Sequence, residues 1–127
     1  LDPSIMGLGP VYCSTALLKR HQLALDDIEL WELNEAFAAQ VLGCLAAWED
    51  AEFCRDALGL PGSAGRIPRV RLNVDGGAIG TGHPVGASGN RIVLHLINAM
   101  KRLGKKRGIA TECIGGGQGG AMLIEAI

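Results

Sequence analysis

The chain closes with RGIATECIGGGQGGAMLIEAI, residues 107–127, in which two apolar runs enclose a segment made almost entirely of glycine. Short apolar runs bounded by glycine are typical of buried β-strands. We therefore predict strands at Arg107–Ile114 and Ala121–Ile127, joined by a turn over Gly115–Gly120.

An amphipathic helix precedes these strands and begins at Ala87 or Ser88. Apolar residues recur there at helical spacing, and polar residues fall on the opposite side. The apolar side comprises Ile92, Val93, Leu96, Ile97, Met100 and Leu103, and the polar side comprises Arg91, His95, Asn98 and Arg102. We predict that the apolar side packs on the sheet and that His95 lies in solvent.

The rest of the chain alternates between helical and strand patterns. After a turn at Met6–Pro10 we predict a helix from Val11 to about His21, a strand at Ile28–Leu33, a helix from Asn34 to about Trp48 and a strand at Val70–Val74. Together with the C-terminal elements this order is α-β-α-β-α-β-β. It predicts an α/β fold with a mixed β-sheet and helices on both faces.

The helix that starts near Asn34 has an unusual composition. Gln40 is the only polar residue between Ala36 and Trp48, and a helix that is apolar on every side is expected to be buried on every side. In a domain this small, that burial requires cover from a second domain or subunit. Asn34 is a suitable N-cap for this helix. Residues 51–58 could extend it, and residues 59–65 are predicted to form an exposed loop.

Composition excludes several classes of protein. A length of 127 residues fits one domain, and 48% hydrophobic residues exclude a disordered chain. A net charge of −1 gives no field that would favour nucleic acid or an anionic membrane surface. No apolar run is long enough to cross a bilayer. The basic run from Lys101 to Arg107 contains no aromatic residue for base stacking, so we expect it to be a solvated helix end.

The cysteines and the first residues indicate an intracellular protein. Four cysteines are widely spaced and form no CxxC pair, which argues against zinc and against a disulfide framework. We expect reduced thiols and a cytoplasmic location. The chain begins at Leu1 without a basic signal-peptide segment, which suggests a fragment or a processed product rather than a secreted precursor.

The glycine-rich loops do not match nucleotide-binding motifs. Gly115-x-Gly117-x-x-Gly120 has the spacing of a dinucleotide fingerprint, but a strand rather than a helix follows it. Three reactive residue types lie instead at the mouths of the loops: Asn34, His83 and Cys113. Glycine lets backbone N–H groups approach a reacting atom closely, as an oxyanion hole requires. Each residue also has an ordinary alternative, as a helix cap, a loop histidine or a small buried thiol.

Three segments in this order resemble the C-terminal motifs of thiolases. They are Asn34-Glu35-Ala36-Phe37-Ala38, the glycine-rich segment from Gly77 to Gly89 with His83-Pro84 at its centre, and Cys113-Ile114-Gly115-Gly116-Gly117-Gln118-Gly119. Met6-Gly7-x-Gly9-Pro10 resembles a fourth motif upstream. The resemblance runs from about Asp2 to the last residue, so residues 1–127 correspond to the C-terminal domain of that family.

The resemblance implies an acyl transfer between CoA thioesters, either thiolytic cleavage of a 3-ketoacyl-CoA or the reverse Claisen condensation. His83 would activate a cysteine of the N-terminal half, which this chain lacks, and would help to bind a thioester oxygen. Asn34 would hold a water in the same oxyanion hole, and Cys113 would move the acetyl α-proton. The N–H of Gly115 would help to form a second oxyanion hole. Met6 and Phe37 would line the acyl region.

The resemblance also implies the partners. The family is usually dimeric or tetrameric, uses CoA thioesters as substrates and needs no cofactor or metal, and the isolated chain should be inactive. The segment 49–69 is longer than the usual link between the apolar helix and the next strand. A non-catalytic thioester-binding or interaction module with the same fold is the alternative. Acyl chain length and the direction of the reaction are not determined by these residues.

Overall fold

The chain folds around a three-stranded sheet; its structure is a computed structural model that describes every residue from Leu1 to Ile127. The helices are α1 (Gly9–His21), α2 (Ala38–Glu49), α3 (Ala51–Leu58), α4 (Ala78–Thr81) and α5 (Ser88–Leu103). The strands are β1 (Leu30–Leu33), β2 (Arg107–Ile114) and β3 (Gln118–Glu125). Short 3-10 segments occupy Pro3–Leu8, Leu25–Asp27 and Arg69–Arg71.

The sheet is mixed, with strand order β1-β2-β3. β1 and β2 are parallel with Leu30 opposite Gly108, which requires the long helical crossover between them. β2 and β3 form an antiparallel hairpin with Ile114 opposite Gln118. Gly116 and Gly117 both have φ of +83°, a conformation that other residues rarely adopt, so the turn depends on glycine.

The face of the sheet that is covered by α1 and α2 carries the main core. Alternation along the strands directs Trp31, Leu33 and Ile109 to this side. These side chains join a cluster of 16 buried residues that includes Val11 from α1 and Trp48 from α2. The rings of Trp31 and Trp48 lie 5.5 Å apart between their centroids.

The opposite face is covered by α5 and carries a smaller core of six buried residues. Leu30 and Ala110 of the sheet pack there against Leu96 and its neighbours on α5. A Cβ at position 108 would lie 2.8 Å from Leu96 Cδ1, so glycine in β2 permits the close approach of this helix. Helices therefore cover both faces of a mixed sheet, and the predicted fold class is confirmed.

The strand predicted at Val70–Val74 is wrong. Arg69–Arg71 form a 3-10 turn, and the segment makes only isolated parallel bridges, from Leu72 to Trp31 and from Val74 to Gly76. Asn73 then takes a positive φ of 44°, which turns the chain out of the extended conformation before a ladder can form.

The expectations for the apolar helix need one correction. α2 starts at Ala38 with extended Phe37 as its N-cap, so Asn34 does not cap it and its side chain is free for other contacts. The helix is buried on one side through Val41, Cys44, Leu45, Ala47 and Trp48. Its other side is open within this chain, with Leu42 51% exposed, so the cover expected there from a second domain or subunit stays a prediction.

Residues 51–58 form a separate helix instead of extending α2. Asp50 leaves the helical conformation, and its carboxylate accepts hydrogen bonds from the N–H groups of Glu52 and Phe53. Cys54, Leu58 and Ile67 enter the main core, so the long segment 49–69 contributes to the fold. β1 begins at Leu30 rather than Ile28, and β3 spans Gln118–Glu125 rather than Ala121–Ile127. None of the helices is long and apolar enough to cross a membrane.

Candidate active site

The candidate site lies where parallel strands β1 and β2 end. The backbone N–H of Asn34 donates to Thr111 O at 2.9 Å, which continues the β1–β2 ladder beyond the last residue of β1. This bond fixes the Asn34 backbone, and Asn34 is only 2% exposed. The loop before α5 brings His83 to the same place, since Asn34 Nδ2 lies 3.5 Å from His83 Nε2.

The tautomer of neutral His83 follows from its second contact. His83 Nδ1 lies 2.6 Å from Ser88 Oγ, and that hydroxyl donates its one hydrogen to Pro84 O at 3.2 Å. When the Ser88 hydroxyl donates to Pro84 O, its oxygen accepts from His83 Nδ1–H. The lone pair of neutral His83 then lies on Nε2, which is the nitrogen that faces Asn34. This arrangement presents a base beside a buried amide.

The Asn34 side chain retains one unused acceptor. Its Oδ1 is buried and has no hydrogen-bond partner in the chain, whereas its Nδ2 faces His83. Buried amide oxygens are normally paired, because an unpaired one costs about 1–3 kcal/mol. An unpaired atom at a strand end, next to an exposed histidine, suits a site that receives a further donor such as water.

Cys113 lies on the neighbouring strand end. It shares the α1-facing side of β2 with Thr111, whose Oγ1 lies 3.4 Å from Cys13 Sγ. Burial raises the pKa of the Cys113 thiol, and the negative charge of Glu112 adds to this effect. The thiol is therefore protonated at neutral pH. No hydrogen bond joins it to His83 or Asn34, and the ladder bond of Asn34 to Thr111 connects the two strand ends.

The remaining predicted site residues lie around these three. Gly115 is exposed in the turn after β2, and its N–H donates no hydrogen bond within the chain. Phe37 follows Asn34 closely and is 71% exposed, whereas Met6 is half-buried in the first 3-10 segment. The contribution of Met6 and Phe37 to an acyl site stays a prediction.

The expectation that His95 is solvated is wrong. Its Nδ1 lies 2.7 Å from Glu32 Oε1 and its Nε2 lies 2.8 Å from Asp75 Oδ2. Burial raises the pKa of Glu32, which points from β1 towards α5, and Arg102 lowers the pKa of Asp75. His95 therefore links β1, the loop before α4 and α5. A residue on the polar side of a helix cannot reveal such a partner from helical spacing alone.

The predictions for the other cysteines and the basic run have mixed outcomes. Cys44 and Cys54 are fully buried, and all four cysteines are free thiols. Arg107 of the basic run pairs with Glu125 at 2.7 Å, although Lys106 is exposed as expected. The structure also contains no group of three or more His, Cys, Asp and Glu side chains that could hold a metal ion.

Sequence reasoning did not identify Ser88 as a partner of His83. It was considered only as a possible first residue of α5, yet its fully buried hydroxyl lies 2.6 Å from His83 Nδ1. The signal that could have found it was the spacing, because one helical turn after His83-Pro84 brings a side chain back towards the start of the loop.

Comparisons with known proteins identify the family of the chain. Residues 1–126 match the family model of the thiolase C-terminal domain. The chain is 52% identical over 124 residues to a 3-ketoacyl-CoA thiolase of Aliivibrio fischeri, which covers 98% of this chain and 28% of the relative. The crystal structure of the Bacillus anthracis acetyl-CoA acetyltransferase superposes with a TM-score of 0.83 at 39% identity and covers 100% of this chain and 28% of that one.

A second solved structure gives the same result. Human mitochondrial 3-ketoacyl-CoA thiolase superposes with a TM-score of 0.79 at 42% identity and covers 99% of this chain and 28% of that one. The chain therefore spans less than a third of the length of the relatives that it matches. On the family match and these likenesses, the chain belongs to the thiolase family and corresponds to its C-terminal domain.

Proposed function

We propose that this chain is the C-terminal catalytic domain of a thiolase that transfers acyl groups between acyl-CoA and acetyl-CoA. The reaction is thiolytic cleavage of a 3-ketoacyl-CoA or the reverse Claisen condensation. The observation that carries the proposal is the His83–Asn34 pair, in which His83 Nε2 lies 3.5 Å from the side-chain amide of buried Asn34. The relatives named above support the substrate class, because their names specify CoA thioesters.

In this proposal the nucleophile is a cysteine of the enzyme's N-terminal half, outside this chain. The chain spans 28% of the length of the relative from Aliivibrio fischeri, which leaves room for such a half. His83 Nε2 takes the proton of that thiol, since a free thiol is mostly protonated at neutral pH. In the condensation direction the thiolate attacks the thioester carbonyl and forms an acyl-enzyme, and CoA leaves with the proton that His83 took. In thiolysis the thiolate attacks the 3-keto carbonyl, and the Cα–Cβ bond breaks to give the acyl-enzyme and the enolate of acetyl-CoA.

Cys113 performs the second proton transfer. In the condensation direction its thiolate takes the α-proton of acetyl-CoA, and in thiolysis its thiol returns a proton to the enolate. His83 and a water held by Asn34 stabilise the enolate oxygen, and the N–H of Gly115 stabilises the oxygen of the acyl-enzyme. The raised pKa of Cys113 supports the role of proton donor.

The proposal includes partners, location and substrate contacts. A cavity of about 400 Å3 separates α5 from β3, and this open face is where we place the N-terminal half. We further propose a homodimer or homotetramer, a cytoplasmic location that suits four free thiols, and an acyl region lined by Met6 and Phe37. CoA thioesters are substrates in this scheme, and no cofactor takes part.

The test is site-directed substitution in the full-length enzyme, with thiolysis followed as loss of a 3-ketoacyl-CoA after addition of CoA. His83→Asn and Cys113→Ser should each lower kcat about 100- to 10,000-fold, the usual contribution of a positioned acid or base. His21→Asn is the matched control because His21 is exposed at the end of α1, and it should retain full activity.

Three outcomes decide between this function and the binding-module alternative. Turnover by the 127-residue chain alone would show that its nucleophile is not missing. Unchanged turnover in both site variants would assign the chemistry to other residues. Tight binding of a CoA thioester without any turnover by the full-length protein would favour a non-catalytic module.

A further inference from the structure

Two side chains outside the set discussed so far, Glu35 and Asn73, join the loop of His83 to the strand of Asn34. The Asn73 amide binds the backbone of Leu33 twice. Its Oδ1 accepts from Leu33 N at 2.9 Å, and its Nδ2 donates to Leu33 O at 2.9 Å. The Asn73 side-chain amide thus makes the two hydrogen bonds that a neighbouring strand would make with Leu33. Leu33 is the last residue of β1 and directly precedes Asn34.

The backbone of Asn73 is held as firmly as its side chain. Its N–H donates to Trp31 O at 2.9 Å, and its carbonyl accepts from Gly76 N at 2.9 Å in a tight turn. Its positive φ of 44° is a conformation that asparagine tolerates better than most residues. The side chain therefore anchors the start of the loop to β1, while the backbone directs the loop towards α4.

Glu35 continues this connection on the other side of Asn34. Its Oε1 accepts from Asn73 Nδ2 at 3.1 Å, and its Oε2 accepts from Ile79 N at 3.1 Å in the first turn of α4. The carboxylate approaches so closely that a Cβ at position 77 would lie 2.6 Å from Glu35 Cδ. A side chain at position 77 would therefore displace the Glu35 carboxylate from its hydrogen bonds.

α4 transmits this anchor to the histidine. It is a single turn that ends at Thr81, and Gly82 and His83 follow directly. Arg91 Nη1 donates to Gly82 O at 2.8 Å and holds the far end of the turn against α5. The segment before His83 thus has one end fixed by Glu35 and the other by Arg91.

We propose that Glu35 and Asn73 are positioning residues that set the separation of Asn34 Nδ2 and His83 Nε2. Asn34 lies between Leu33 and Glu35 in sequence, so both anchors act on the residues that flank it. The inference rests on the proposed function, because it assigns the pair a task in acyl transfer. A misplacement of about 1 Å in such a pair costs on the order of 100-fold in rate.

The first test is Glu35→Gln in the full-length enzyme. Glutamine keeps an oxygen for Ile79 N–H but turns its NH2 group towards the NH2 group of Asn73, so one of the two bonds is lost. We expect kcat to fall about 10- to 100-fold with KM for the CoA thioester changed by less than about threefold, because the side chain is not placed at the substrate. Glu52→Gln on exposed α3 is the matched control and should change neither constant.

The second test is a double-mutant cycle with Asn73→Asp. Aspartate puts a carboxylate opposite Glu35 and Leu33 O, so this variant should lose more activity than Glu35→Gln. In the double variant the NH2 group of the introduced glutamine donates to the introduced aspartate, which should recover part of the activity lost in Asn73→Asp. Losses that simply multiply would overturn the proposed connection. The cycle also remains informative if one single variant is poorly folded.

Hydrogen exchange gives a readout independent of turnover. In Glu35→Gln, exchange should rise in the peptide spanning 77–83 and stay unchanged in β2, whereas general destabilisation would raise both. A normal kcat with raised exchange would overturn the positioning role. If the wild-type enzyme transfers no acyl group, the proposed function fails, and unchanged exchange in 77–83 would then overturn the anchor itself.

Discussion

The two faces of the sheet differ in how completely the chain covers them. On the side of α1 and α2, 16 buried residues form a closed core that includes both tryptophans. On the side of α5, only six buried residues pack together. α5 lies over β1 and β2 and covers β3 only in part, at Ile124, so Met122 is 52% exposed beside the cavity.

This difference shows which part of the fold is complete in the chain itself. Val93 of α5 and Met122 of β3 both border this cavity, so apolar surface continues from the strand onto the helix. Cys113 lies on the closed face of β2, whereas His83 lies in the loop before α5, the helix on the open face. The comparison therefore separates residues that are buried within this chain from apolar residues that the chain leaves exposed.

Truncating one isoleucine on each face should give the largest difference in stability between the two faces. Ile109→Ala on the closed face should cost about 4 kcal/mol of unfolding free energy, because the surrounding side chains cannot fill the cavity. Ile92→Ala should cost about 2 kcal/mol, because Ile92 borders the existing cavity of about 400 Å3 on the open face. Urea unfolding of the 127-residue chain measures both values.

Part of the expected difference in unfolding free energy comes from helix propensity and can be subtracted. Alanine is the better helix former by about 0.4 kcal/mol, which favours the α5 variant. Leu94→Ala on the exposed side of α5 is the control and should stay within about 0.5 kcal/mol of the wild type. Equal costs at positions 92 and 109 after this correction would contradict the difference between the faces.

His95 offers a sharper test of the open face, because its core contains a buried carboxylate. Replacing His95 with leucine leaves Glu32, which is only 4% exposed, without its partner. We expect a loss of about 1–3 kcal/mol in unfolding free energy at neutral pH, the cost of one buried group left unpaired. Thermal unfolding measures it, and His21→Leu at the exposed end of α1 is the control.

The two histidine variants also separate explanations. A loss in His95→Leu that matches the loss in His21→Leu would mean that Glu32 needs no partner at this face. A larger loss confined to His95→Leu would show that the polar side of α5 stabilises the fold through β1, whose residue Glu32 the ring contacts at 2.7 Å.

Periodicity and motif spacing predict much of this molecule. The amphipathic pattern places α5 correctly, and the glycine-bounded runs predict the hairpin of β2 and β3. The pattern fails at Val70–Val74, where the positive φ of Asn73 is set by its side-chain bonds to Leu33 rather than by local propensity. It also does not show which side of α2 is buried within this chain, because both sides are apolar in sequence.

The candidate site also contains residues that the sequence indicates and residues that it does not. Loop glycines and their neighbours indicate His83, Asn34 and Cys113 as residues of interest, because these are reactive types at the mouths of loops. The partners that orient them are distant in sequence or ordinary in type. Glu35 and Asn73 meet only after β1 and the loop before α4 come together, and no spacing rule predicts that contact.

The smallest expected effect concerns the closed face near the site, where burial raises the pKa of Cys44 from its ordinary value of 9.0 to about 12. A thiol with a raised folded pKa contributes stability that is complete below the unfolded value and is lost as the pH rises towards the folded value. The unfolded chain ionises Cys44 above about pH 9 and the folded chain does not. The penalty of Cys44→Ala should therefore shrink by about 1 kcal/mol between about pH 8 and pH 10.

Urea unfolding of both proteins at the two pH values measures this difference, and the other alkaline groups cancel because both proteins contain them. A penalty that does not change with pH would mean that water reaches the Cys44 thiol and that the closed face is less complete than its packing indicates.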